Sequence, residues 1–197
     1  MVELTMVIKS KNIYSCLFSF MPSMNSNAVF SFSRKYRYRL NRKINQSRKE
    51  IIFIGLNPST ADEQDNDLTL VRVLNFSNSW GYGSLVVINL FARISTSPSI
   101  LKSSSNPIGP LNNFELKTNI KDWSEDEFCD LWLGWGVNGS FMKRDRNILK
   151  EIKKYSEKKM QIFPKAQMPL ALGLTKAGHP RHPLYMANSS YLRTFQI

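Results

Sequence analysis

Glu50-Ile51-Ile52-Phe53-Ile54-Gly55-Leu56-Asn57-Pro58 decides how this chain is read. Four consecutive β-branched or aromatic residues with no polar alternation describe a strand covered on both faces, the pattern of a parallel sheet between helices. Gly55 and Asn57 favour turns, and Pro58 has no N–H to give a ladder, so the strand runs out into a loop. Asp62, Glu63, Asp65 and Asp67 make that loop acidic. Asp67 is a suitable N-cap for a helix starting at Leu68. Leu70, Val73, Leu74 and Ser77 then recur at helical spacing, and Gly81 stops the segment.

Working outward, 84–91 (Ser-Leu-Val-Val-Ile-Asn-Leu-Phe) reads as a second buried strand, and 128–134, containing Trp132 as a core residue, as a third. Residues 95–110 are rich in Ser and Pro and read as a long loop. A helix is predicted over about 111–121. Another is predicted within 141–163, where Ile148, Leu149, Ile152, Tyr155 and Lys159 share a face and Pro164 ends the run. Residues 170–175 read as a fourth, short strand. Strands alternating with helices predict an α/β fold, a three-layer sandwich about a central, mainly four-stranded parallel sheet. Residues 1–24 read as an N-terminal extension and 25–197 as a single α/β domain.

The chain has 197 residues with 27 Lys and Arg against 15 Asp and Glu, a formal charge of +12. Residues 1–49 hold ten of those cations and one acid, Glu3, which is +9 of the +12. Such a segment suits a polyanion, and it equally suits a solvated basic surface. Arg37, Arg39 and Arg42, interleaved with Tyr36 and Tyr38, fit a strand with one basic face for phosphate contact. Cys16 and Cys129 make neither a disulfide framework nor a metal cluster and read as small buried hydrophobes. Lys9 and Lys11 precede an apolar stretch at 13–21 that looks like a weak signal peptide, but Ser15 and Ser19 interrupt it and no small-residue cleavage site follows. No apolar run approaches the roughly 20 residues that span a bilayer. A cytoplasmic protein is expected.

Parallel α/β sheets place ligands beyond the carboxyl ends of their strands. The residues in those positions are Asn57, Asn89, Trp135, and His179 with His182. Each has an ordinary structural explanation: an Asx turn for Asn57, backbone satisfaction for Asn89, a donor fixing a Pro-rich loop for the histidines. No metal is expected, because two histidines with Asp62 and no cysteine ligands make a poor zinc set. The acidic loop also lacks the Gly and terminal Glu of a calcium loop.

Several strings occur together in an order that resembles the DUF1643 family. They are Tyr36-Arg37-Tyr38-Arg39-Leu40-Asn41-Arg42, Gly55-Leu56-Asn57-Pro58-Ser59-Thr60-Ala61-Asp62, Trp80-Gly81-Tyr82-Gly83 and Val87-Ile88-Asn89-Leu90-Phe91-Ala92. The last is Gly173-Leu174-Thr175-Lys176-Ala177-Gly178-His179-Pro180-Arg181-His182-Pro183-Leu184-Tyr185. The resemblance covers 29–186. Leu68 stands where the family usually has Pro, which weakens the helix start slightly.

The same layout is similar to uracil-DNA glycosylases, in which a Gly-x-Asp/Asn-Pro motif holds the attacking water, an Asn reads the base edge, and a His-Pro segment supports the departing base. The resemblance implies catalytic roles for Asn57, Asp62 and His179 or His182, with Asp62 supplying a carboxylate if its loop folds over the cleft. It implies base contacts from Asn89, Ser59 and the rings of Tyr82 and Phe91. Nucleic-acid contacts are implied for Arg37, Arg39, Arg42 and Arg181, with Leu184 as a wedge. It further implies nucleic acid, DNA before RNA, as partner and no cofactor. A non-catalytic nucleic-acid-binding module and a nucleoside or nucleotide hydrolase are the alternatives.

Overall fold

A computed structural model describes residues 27–197. Lys9, Lys11, Cys16 and the whole of the 1–24 extension therefore lie outside the described residues. Seven strands form one sheet: β1 (Asn27–Phe30), β2 (Arg37–Lys43), β3 (Glu50–Gly55), β4 (Ser84–Asn89), β5 (Cys129–Leu133), β6 (Leu170–Ala171) and β7 (Arg193–Thr194). Their order is β1-β2-β4-β3-β5-β6-β7. The four strands read as parallel do form the parallel centre, since β3 pairs with β4 and β5, and β5 with β6. The sheet is nevertheless mixed and larger than expected. β1 and β2 add an antiparallel hairpin beside β4, and the two-residue β7 runs antiparallel to β6. β2 is polar and legible only from its Arg and Tyr alternation, while β1 and β7, of four and two residues, are too short for an apolar run to reveal them.

Continuous apolar strands produce two cores, one on each sheet face. Helix α1 (Leu68–Ser79) covers one face, where Leu70, Val73 and Phe76 meet Ile51, Phe53, Leu85, Val87 and Trp132. Helices α3 (Asn112–Glu125) and α4 (Arg144–Ile162) cover the other, against Ile52, Ile54, Val86, Ile88, Leu131 and Leu133. Alternate residues of one strand thus enter different cores, as the two-residue period requires. Asp67 caps α1, its Oδ1 accepting from the Leu70 amide at 2.8 Å.

Several boundaries move. The 95–110 loop contains a short helix, α2 (Pro98–Ser103), started by Ser97 as cap and Pro98 in the first turn. Helix α4 begins only at Arg144, because Met142 and Lys143 take left-handed φ values of 53° and 56° ahead of it. Strand β6 stops at Ala171.

The basic strand is also rearranged. Val29 faces Arg39 while the next residue, Phe30, faces Arg37, so Tyr38 is an extra residue in a β-bulge. A bulge inverts the alternation, so Arg37 joins Leu40 and Arg42 toward α1 while Arg39 points toward α3. Contacts agree: Arg37 and Arg42 both bond carbonyls of the 61–65 loop, whereas Arg39 lies 3.7 Å from Glu115 of α3. The single basic face for phosphate contact does not form, and Arg37 and Arg42 are buried.

Lys159 of α4 ties the lower edge together. Its buried Nζ donates to the carbonyls of Trp123, Asp126 and Cys129, each at 2.7 Å, joining the end of α3 to the start of β5. We expect Lys159→Met, which keeps the stem but strands three carbonyls, to lower unfolding free energy by about 3 kcal/mol in urea titrations. A change within about 1 kcal/mol would show that these bonds do not hold the edge.

Candidate functional site

β3 and β4 end in register, Gly55 opposite Asn89, and beyond that point a cavity of about 520 Å³ opens between the sheet and the start of α1. Its buried walls include Phe53, Val87, Leu70 and Val73, and its open side includes Lys176, Arg181 and Tyr185. Asn89 stands on the α1 face with Leu85 and Val87, and only 4% of it is exposed. Its Oδ1 lies against Gly55, where a Cβ would come within 2.7 Å. Its Nδ2 is buried and has no hydrogen-bond partner among the described residues. A buried amide donor left open on a cavity wall is uncommon, because most such groups are paired.

Asn57 stands on the same cavity, and its Nδ2 donates to the carbonyls of Pro58 and Ser95, both at 2.8 Å. These bonds clip the Ser95–Ser97 segment over the strand end and orient the side chain with its donor engaged and its Oδ1 left as an acceptor. This is not an Asx turn, in which the side-chain oxygen would accept from a nearby amide.

His182 reaches the cavity from the loop after β6 and is itself the residue before a 3-10 turn at Pro183–Tyr185. Its Nδ1 accepts from the Leu184 amide at 3.3 Å, so the neutral ring carries its proton on Nε2. Burial pushes its pKa below the ordinary 6.5, with the negative charge of Asp67 partly opposing. Asp67 is the carboxylate on the cavity wall, and both its oxygens already accept backbone N–H groups, from Leu70 at 2.8 Å and Ala61 at 3.3 Å.

Of the site residues singled out in the sequence, Asn57, Ser59, Asn89, Arg37, Trp135, Arg181 and His182 line this one cavity. The others lie elsewhere. His179 turns to Asp145, Nδ1 to Oδ2 3.4 Å, and lines a second cavity of about 330 Å³ on the far side of Trp135. Asp62 does not fold over the cleft, because its Oδ1 accepts the amides of Gln64 and Asp65 at 2.9 and 2.8 Å within its own turn. Tyr82 precedes β4, at the end of the strand away from the cavity, and donates to Asp130 Oδ2 at 2.6 Å. Phe91 is fully buried against Phe141. Arg39 pairs with Glu115, and Arg42 donates to Asn66 Oδ1. Leu184 is exposed outside the lining, whereas its neighbour Tyr185 stands at the mouth. Two contributors are not evident as site residues in the sequence: Asp67, where the pattern predicts only a cap, and Ser95–Ser97, where it predicts a loop. Their signal was the position of a helix start and a Ser-rich turn directly facing two strand ends.

A parallel-centred α/β sheet with a ligand-sized cavity at its carboxyl edge defines the class of protein. The model of the family described as "Protein of unknown function (DUF1643)" matches residues 37–184, and the chain belongs to that family. No curated protein and no solved structure matches it.

The tautomer and burial of His182 can be read directly. In long-range ¹H–¹⁵N spectra, assigned by the loss of signals in His182→Gln, we expect the His182 ring to be the Nε2–H form at neutral pH and to titrate below 6.5. Because the folded-state pKa lies below the unfolded one, unfolding free energy should fall as pH drops from about 6.5 through the folded value, and less so in the variant. Titration above 6.5 would contradict the geometry.

Proposed function

We propose that the cavity receives a nucleobase and that the protein hydrolyses its N-glycosidic bond, in the manner of uracil-DNA glycosylase-like proteins. One observation carries this reading: Asn57, Asn89 and His182, each from a different strand end, line the same cavity. In the reaction, the C1′–N bond breaks and its electron pair leaves with the base, while a water oxygen adds to C1′ and gives up a proton. Asn57 Oδ1, held free by the bonds of its Nδ2, accepts a hydrogen bond from that water and orients it. Asp67 is the carboxylate available to take the proton, the role expected of Asp62. The neutral Nε2–H of His182 donates to the base as negative charge develops there. Asn89 Nδ2, which no other described residue engages, supplies the donor for the base edge.

A non-catalytic base-binding site is the second reading. It is favoured by the prior engagement of both Asp67 oxygens, one of them as the cap of α1. For the carrier of the base, the charge of +12 and the exposed Lys176 and Arg181 beside the mouth support nucleic acid. The buried Arg37 on the cavity wall supports a free nucleotide.

The test is base release from oligonucleotides carrying uracil, hypoxanthine and mismatched bases, and from nucleosides and nucleotides in parallel. We expect release on at least one substrate, slowed about 100-fold by Asn57→Ala and by His182→Gln with smaller changes in binding. Binding weakened by Asn89→Ala without any release supports the second reading. No release and no Asn89-dependent binding on the whole panel removes both.

A further inference from the structure

We propose that Arg37 anchors an anionic group of the ligand on the buried wall of the cavity, and that this group is the terminal phosphate of a mononucleotide rather than a link in a strand. The inference rests on the base-binding reading and names the substrate class of that same site.

Arg37 is 4% exposed, yet its side chain forms part of the cavity wall. Of the five N–H donors of its guanidinium, one is used among the described residues, Nη1 to the carbonyl of Ala61. Among the described residues its Nε is buried without a partner, and no carboxylate lies within ion-pair distance. Arg39 also has a buried Nε without a partner among the described residues, but it faces Glu115 at 3.7 Å, a charge Arg37 lacks, and the other two arginines of this region are better satisfied. Arg34 makes a two-pronged bond to Glu63, and Arg42 donates to Asn66, Asn41, Asp62 and Asp65. Burial holds the Arg37 pKa down to about 10, against the attraction of Asp67 and Asp62, so the group is still a cation at neutral pH. A buried cation with most of its donors open is costly unless something meets it. The open side here is the cavity, where a guanidinium fork matches the oxygens of a phosphate.

The depth of Arg37 selects the kind of phosphate. A diester within a strand leaves by two ester oxygens and needs two exits. A terminal monoester has one attachment and fits a closed wall. Arg37 lines the cavity with Phe53, Leu70, Val73 and Val87, all buried, while the exposed cations Lys176 and Arg181 line its mouth from the chain after β6, toward the opposite edge of the sheet. The volume of about 520 Å³ suits one nucleotide.

The experiment is calorimetric titration of the full chain with inorganic phosphate, four nucleosides, their 5′-monophosphates, and a mixed trinucleotide with internal diesters and no terminal phosphate. Each titration is repeated on Arg37→Gln and Arg37→Lys after thermal unfolding has confirmed that they fold. We expect at least one monophosphate to bind about tenfold or more tighter than its nucleoside, and Arg37→Gln to erase that advantage while nucleoside affinity stays within about twofold. If Arg37→Gln does not fold, the same conclusion is read on the natural chain, where inorganic phosphate must compete with the monophosphate and not with the nucleoside. Nucleosides binding as tightly as monophosphates, or the trinucleotide outbinding them, overturns the inference and leaves the base reading intact. Arg37-dependent binding of phosphate with no response to any base keeps the anion site and removes the base reading.

Discussion

The close approach of Asn89 to Gly55 is the constraint on which the site depends. The two residues are partners across β3 and β4, and the Asn89 carboxamide occupies the space that any side chain at position 55 would fill, 2.7 Å from an added Cβ. The chain then leaves β4 without leaving its polar groups bare. Amides of Leu90 and Phe91 still donate to Gly55 and Leu56, at 3.0 and 2.9 Å. On the other side, Asn112 Nδ2 donates to the carbonyls of Asn89 and Leu90, and Arg144 Nε also donates to Leu90. Helices α3 and α4 therefore fix the backbone of the strand end from behind, so that the Asn89 side chain can stand on the opposite face with an open donor. Rigid support of this kind is what a recognition group requires.

Much of this was legible in the sequence because the underlying rules are local. The apolar run of β3, the cap at Asp67 and the strand-end position of Asn57 and Asn89 each follow from a few neighbouring residues, and together they place the cavity. The misplacements arise where longer-range geometry intervenes. Phe91 has the parity of Asn89, but alternation lapses once β4 ends, and its ring enters the α3–α4 core. Tyr82 lies close in sequence to the strand that bears Asn89 but at its opposite end. Asp62 had two backbone amides within three residues, a nearer and better offer than a distant cleft. His179 and His182 are equivalent as His-Pro dipeptides. They separate because a bridge between Leu174 and Pro180 closes a turn that directs one ring to Asp145 and leaves the other on the cavity.

The arginines teach a related lesson about charge. Composition reports a sum, and a strongly basic chain invites a surface reading. Here Arg37, Arg42, Arg144 and Lys159 are all buried, and most of their hydrogen bonds go to backbone carbonyls. They act as internal struts, bonding carbonyls of loops and of the ends of helices and strands. One extra residue, Tyr38 in the bulge, is enough to send Arg37 to the cavity face and Arg39 to the other. No count of charges or spacing of residues contains that information, because the bulge is a property of the pairing between β1 and β2.

The central claim is that two amides and an imidazole at three strand ends form one receptor for a base. A crystal structure of the protein with a bound nucleotide tests it most directly. The account predicts density for the base within hydrogen-bond distance of Asn89 Nδ2 and His182 Nε2, with the sugar toward Asn57. A nucleotide found only on the outer surface, or seated in the cavity with its base out in solvent and no contact to Asn89, contradicts it.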